Sequence, residues 1–231
     1  TNAVLLSVLA VGILVVAAVL LRKNLSAVPR KLQSVFELLL EDILKLMDSV
    51  LGNRHLSEKY LPLIATIFLF ILTSNWLGLF PGVGTIGVWH HIEGKEESIL
   101  VPLFRAPASD LNFTVVLGII SIFSVNLLGI LAIGFWRHLF KFFNFKSPIM
   151  FFTGILEFIS EFVKIVSFSF RLFGNVFAGE VLLTIVASRA PYFIPLPFLF
   201  LETFVGFIQA LIFSMLTLVF VAMAVSEEPA H

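Results

Sequence analysis

Long, almost uncharged apolar runs constrain this chain before anything else does. Ala3 to Leu21, Leu61 to Phe80, Phe113 to Trp136 and Phe198 to Val225 are each long enough, as helix, to cross the ~30 Å hydrocarbon core of a bilayer. Within hydrocarbon every backbone N–H and C=O must find its partner inside the protein, so only helices or closed barrels span. Continuous apolar runs without period-2 alternation select helices. Composition agrees: charged residues make up 13% of the chain, about half of what a soluble domain carries, and mean hydropathy is +1.05. The expectation is a single all-α integral membrane domain over residues 1–231. A net charge of zero excludes bulk nucleic-acid binding, and the absence of cysteine excludes disulfides and thiol chemistry.

Taken in order, residues 3–21 read as the first span and not as a signal peptide, because no basic segment precedes them. Residues 32–51 carry Glu37, Glu41, Lys45 and Asp48 on one face and Leu, Val, Ile, Phe and Met on the other, which predicts an amphipathic helix at the membrane surface or along a bundle edge. Gly52 to Lys59 reads as a polar loop, and 61–80 as the second span, with Pro62 in its first turn. Residues 81–111 read as loop, 113–136 as the third span. Residues 149–188 contain no proline and would extend about 60 Å as one helix, and 198–225 about 42 Å. Both exceed the bilayer. The first is either broken near Gly154 or Gly174, or the two form a steeply tilted hairpin, which is the expected arrangement. That makes five crossing helices and one interfacial helix.

Lys and Arg set the orientation. The loops at 22–59 and 137–147 hold seven and three, against two and one at 81–111 and 189–197. The first pair is expected in the cytoplasm, the N-terminus outside and the C-terminus inside.

Three local motifs carry no chemistry. Gly82-Val-Gly-Thr-Ile-Gly87 matches a dinucleotide fingerprint but lacks the strand–turn–helix context it needs. His90 and His91 with Glu93, Glu96 and Glu97 lack zinc-helix spacing and read as a solvated loop. Asn112-Phe-Thr114 is formally a glycosylation sequon but abuts a span. No catalytic constellation, cofactor motif or metal set is present.

The informative charges lie inside the apolar run Lys164 to Glu180. A charged side chain at mid-bilayer costs about 2.5–3.5 kcal/mol on insertion scales, so its retention calls for a use. With Arg171 as zero on a 100° wheel, Lys164 falls at about +20°, Ser167 at −40°, Asn175 at +40° and Glu157 at +40°, one stripe. Glu180 falls at about 180°, too far round to pair with Arg171. Glu202 and Gln209, seven residues apart, share a face of the last helix.

Phe168 to Glu180, F-S-F-R-L-F-G-N-V-F-A-G-E, resembles the signature of subunit a of F-type ATP synthases. N-W-L-G-L-F-P at 75–81, P-A-S-D-L-N at 107–112, F-I-Q-A-L-I-F-S-M-L-T at 207–217 and P-R-K-L-Q at 29–33 resemble the same family in the same order. The resemblance implies a non-catalytic, proton-conducting stator that presents two offset half-channels to a rotating c-ring and couples proton flow to ATP synthesis. Its expected partners are the c-ring, b-type peripheral stalk subunits and the bilayer. Arg171 matches the arginine that faces the ring carboxylates. Asn175 and Gln209 match polar neighbours of it, and Glu180 and Glu202 the outer relay. Lys164, Ser167 and Glu157 match positions near the inner route, and Asp110 an acid by the outer entrance. Many members pair Glu with His where this chain has Glu180 and Glu202. A bacterial inner membrane is the expected location, with a chloroplast thylakoid as alternative. The competing function is a stand-alone secondary transporter, against which stands the lack of an internal repeat. A purely structural anchor would leave Arg171 unexplained.

Overall fold

A computed structural model describes residues 2–23, 31–80, 83, 87–91, 98–135, 138, 148–189 and 193–226. The acids of 92–97, most of 137–147, Trp136 and the tail after 226 lie outside the described residues, as do 82 and 84–86 of the 82–87 glycine motif.

Among the described residues six long α-helices stand out: α1 Asn2–Lys23, α2 Lys31–Leu51, α3 Arg54–Gly78, α4 Leu111–Ile133, α5 Pro148–Arg189 and α6 Pro195–Ser226. By length and composition α1, α3, α4 and α6 qualify as membrane spans. At 42 residues α5 is also long enough, about 63 Å as helix.

Of the two alternatives for 149–188 the unbroken helix holds, and no break occurs near Gly154 or Gly174: an interior glycine costs only about 1 kcal/mol relative to alanine. Three expectations change. The 52–59 loop is mostly helix, because the Asn53 side chain accepts from His55 N at 2.9 Å and caps α3 two turns before Pro62, which sits inside the helix and not in its first turn. α4 stops at Ile133, short of Trp136, where Gly134 takes a φ of 98° that few other residues tolerate. The molecule is also not purely helical. Within 81–111, β1 Gly87–His91 and β2 Ser98–Pro102 form an antiparallel ribbon in the register Val88↔Val101, and one 3-10 turn follows at Pro107–Ser109.

The α3, α4, α5 and α6 helices form the core. Ile64, Phe68 and Ile71 of α3, Leu117 and Val125 of α4, Phe168 and Leu172 of α5, and Phe213, Leu218 and Val221 of α6 are all buried. Phe168 packs on Phe213 and Phe220 at ring-centroid distances of 4.7 and 5.6 Å, and locks α5 to α6. Lipid is as apolar as these side chains, so helix association depends on close packing and polar contacts. Both are present. α3 grips α6 by Asn75 Nδ2 donating to Gly206 O and Trp76 Nε1 to Thr203 O, each at 3.2 Å. α4 lies tight on α5 at Gly118, where an added Cβ would sit 2.8 Å from Ser169 Oγ and 3.2 Å from the Ile165 carbonyl oxygen. α2 presents Ile43, Leu44 and Met47 inward and Glu37, Glu41 and Lys45 outward, the amphipathic helix its spacing predicts. Its end is fastened to α3 by Arg54 Nη1 donating to Asp48 Oδ2 at 2.8 Å.

Gly118→Val is expected to wedge α4 from α5 and to destabilise the protein by about 1–3 kcal/mol. Gly12→Ala, with nothing within 4 Å of its new methyl, is the control and is expected to leave stability unchanged or raise it by up to about 1 kcal/mol. Thermal denaturation of the two variants in detergent checks the difference, and equal melting temperatures would refute the packing argument.

Candidate functional site

The long helix α5 carries the site because it runs past two different environments. Near its middle one face is open to the outside of the molecule, and further on another face closes over a cavity. Arg171 lies on the open face. Its side chain is exposed, and Nη2 donates to Ser167 Oγ at 3.2 Å, one turn back. Among the described residues no carboxylate lies within ion-pair distance of it. Phe170, Gly174 and Ala178 on the same side are exposed too, so the guanidinium stands in an apolar, partly small-residue surface.

The cavity, about 440 Å³, lies between α5, α6, the C-terminal end of α3 and the segment just after β2. Asn75, Arg105, Asn175, Glu180, Glu202 and Gln209 supply its main polar groups. Asn175 Nδ2 donates to Gln209 Oε1 at 2.6 Å and joins α5 to α6 at the inner end of that polar set. Gln209 is 2% exposed. Its Nε2, the Asn75 Oδ1 and the Glu180 Oε2 are buried without a hydrogen-bond partner among the described atoms. Buried polar atoms normally find one, and a polar space of this size accommodates several waters. The arrangement suits a file of exchangeable hydrogen bonds running along α5 from Glu180 toward Asn175.

Local sequence explains the geometry. Glu180 and Arg171 are nine residues apart and point opposite ways on one helix, so Glu180 does not reach Arg171. Arg105 Nε lies 3.4 Å from Glu180 Oε1, an ion-pair distance with no hydrogen bond made by that Nε. Gly179, next in sequence, faces the Glu202 carboxylate so closely that any Cβ there would overlap it. With glycine at 179 the Glu202 carboxylate lies directly against α5, in the same cavity as Glu180.

Of the residues singled out from sequence, Asn175, Glu180, Glu202 and Gln209 are brought together here. Arg171 and Ser167 pair on the open face. Lys164 leaves the stripe: its Nζ donates to Glu161 Oε1 at 2.7 Å. Glu157 is half-buried one turn before Glu161 and is not among the cavity's lining residues. Asp110 is not among them either. Its Oδ1 accepts from Asn112 N at 2.9 Å and caps α4.

Sequence reasoning passed over Arg105, Asn75 and Glu161. Arg105 had no signal beyond being the only basic residue near P-A-S-D-L-N, since its partner is far away in sequence. Asn75 was visible as the polar member of N-W-L-G-L-F-P. Glu161 was legible as a carboxylate three residues before Lys164.

Gln209→Leu keeps the volume but strands the Asn175 amide. A loss of about 1–3 kcal/mol is expected, read as a lower melting temperature. The double variant Asn175→Leu, Gln209→Leu should recover part of it, and a double variant that melts no higher than the single would contradict the pairing.

The model of the family described as ATP synthase A chain matches residues 4–222. A protein of Campylobacter concisus named ATP synthase subunit a is 36% identical over 217 residues, 93% of this chain and 85% of its own length. Proteins of the same name from Campylobacter fetus and Campylobacter curvus are also 36% identical, covering 95% and 94% of this chain and 88% and 87% of theirs.

Proposed function

The chain belongs to the ATP synthase A chain family, and on that premise we propose how its residues divide the work of moving protons. It is a proton-translocating membrane subunit of an F-type ATP synthase. It associates with the c-ring and other subunits, and ATP chemistry belongs to other subunits of the complex. The stand-alone transporter kept open on sequence is not favoured by this membership.

In the reading proposed here, the Arg171 face of α5 meets the c-ring. Arginine stays protonated at any working pH. A guanidinium without a counter-charge on a membrane helix is costly, and a carboxylate on a partner removes that cost. The exposed, uncompensated Arg171 is the observation that carries the reading. As each ring carboxylate approaches, the guanidinium favours its ionised form, so its proton must leave first. The same positive charge bars a proton from crossing straight past.

The cavity serves as the outer half-channel. Protons enter among Glu202 and Glu180, pass the Asn175–Gln209 amides and reach the ring near Arg171, with Asp110 by the entrance. Ser167 and Glu157, toward the N-terminal end of α5, mark the inner route. Offset routes oblige a proton to travel with the ring, and each charge crossing releases about 2.3 kcal/mol per 100 mV. Five crossings, with α5 and α6 as a tilted hairpin along the ring, follow from counting α5 as a span. Loop charges then put the N-terminus outside and the C-terminus in the cytoplasm of a bacterial cell. b-type stalk subunits hold this stator still.

Arg171→Ala is expected to abolish proton-driven ATP synthesis in reconstituted vesicles while the complex still assembles. Normal synthesis in that variant would sink the mechanism. Glu180→Gln and Glu202→Gln should each lower proton flux, measured across pH in the same vesicles, and two unchanged profiles would remove both residues from the relay.

A further inference from the structure

Lys164 lies about 10 Å from Arg171 along α5 and only about 20° round from it. Two cations on one face would both meet any carboxylate that passes. The structure treats them differently. Arg171 is exposed and, among the described residues, its one hydrogen bond is to the Ser167 hydroxyl. The Lys164 and Glu161 side chains are 20% and 16% exposed, and their charged ends are 2.7 Å apart.

Glu161 is itself held in place. Its Oε2 accepts from Asn126 Nδ2 of α4 at 3.1 Å. Asn126 also donates to Ile122 O at 2.9 Å, and its Oδ1 lies 3.0 Å from His138 Nε2. On the other side, the Lys164 ammonium lies 4.8 Å from the centroid of the Phe220 ring of α6. On the wheel Glu161 falls at about +80° from Arg171, toward α4 and away from the open face. The ion pair therefore draws the ammonium off the Arg171 side and into the angle between α4 and α6.

We propose that Glu161 is a positioning residue for proton translocation: it cancels Lys164 and turns it inward, so that of these two cations only Arg171 presents positive charge to the rotor. This rests on the reading that the Arg171 face meets the c-ring. A free Lys164 would form a second cation on the inner side of Arg171. There the ring carboxylate must take up a proton from the inside when ATP hydrolysis drives pumping. A cation at that point holds the carboxylate ionised, and a shift of one pKa unit changes its protonated fraction about tenfold.

The test uses the whole ATP synthase complex in inverted vesicles, with ATP-driven proton pumping followed by a pH-sensitive dye. Subunit content and detergent-activated ATP hydrolysis serve as controls for assembly. Glu161→Gln is expected to cut pumping about tenfold, and adding Lys164→Gln to it should restore pumping to near the starting rate. Unchanged pumping in assembled Glu161→Gln overturns the proposal. So does an impairment that Lys164→Gln leaves in place, since Glu161 would then act as a relay or as a strut. If Glu161→Gln does not assemble, Glu161→Asp, whose carboxylate is drawn back by one methylene, carries the comparison. Lys164→Gln must restore whatever pumping it loses. Arg171→Ala, run alongside, separates the two levels. Coupled pumping in that variant brings down the c-ring reading itself, while an inactive Arg171→Ala beside an unaffected Glu161→Gln brings down only the role of Glu161.

Discussion

A guanidinium cannot shed its charge, and the rest of this protein is arranged around where Arg171 is allowed to keep it. On a membrane helix a lysine or a carboxylate escapes the cost of burial by titrating, but an arginine must find an anion or water. The other charged groups for which a partner is seen along α5 look to their own chain: Lys164 to Glu161, and Glu180 to Arg105. Arg171 meets a hydroxyl. Arg171, in the middle of α5, has no carboxylate partner among the described residues, and the proposed contact with the c-ring supplies its counter-charge from another molecule.

That openness needs a rigid support, because a mobile charge would be shielded by whatever it reached first. Phe168, three residues before Arg171 and on the inward side of α5, packs with tilted rings on Phe213 and Phe220. Leu172, just after it, is fully buried. Arg171 is thus flanked by anchors and held by backbone. On the far side the small residues Gly118 and Gly179 let α4 and the Glu202 carboxylate approach α5 closely. Large residues fasten the helix and small ones admit neighbours, and between them the outward and inward faces are kept apart.

Helix existence was legible from run length alone, because hydrocarbon permits little else, and α2 was legible from its charge spacing. Boundaries were less so. Asn53 as a cap, and Gly134 at positive φ, moved two ends by several residues, and neither effect shows in hydropathy. The β1–β2 ribbon escaped notice because its short stretches lack clear alternation among polar neighbours. In the site, the opposed directions of Arg171 and Glu180 followed from 3.6-residue geometry. Asn175 did not behave as its stripe suggested. It sits only about 40° from Arg171, yet its amide turns to Gln209 of α6.

By itself the sequence determined that the chain lives in a membrane as helices, that a permanent cation rides on the longest of them, and that Glu180 cannot neutralise it. These depend on composition, length and helical period, which are local properties. Tertiary structure alone decided the partners: Arg105 with Glu180, Asn175 with Gln209, Asn126 with Glu161, and Gly179 beneath Glu202. Each joins segments separated by tens of residues, and a contact of that kind depends on how helices cross, which no local pattern encodes. The lysine that sequence placed beside Arg171 is the clearest case. The helical wheel puts them on one face, and a single carboxylate fixed by another helix takes one of them away.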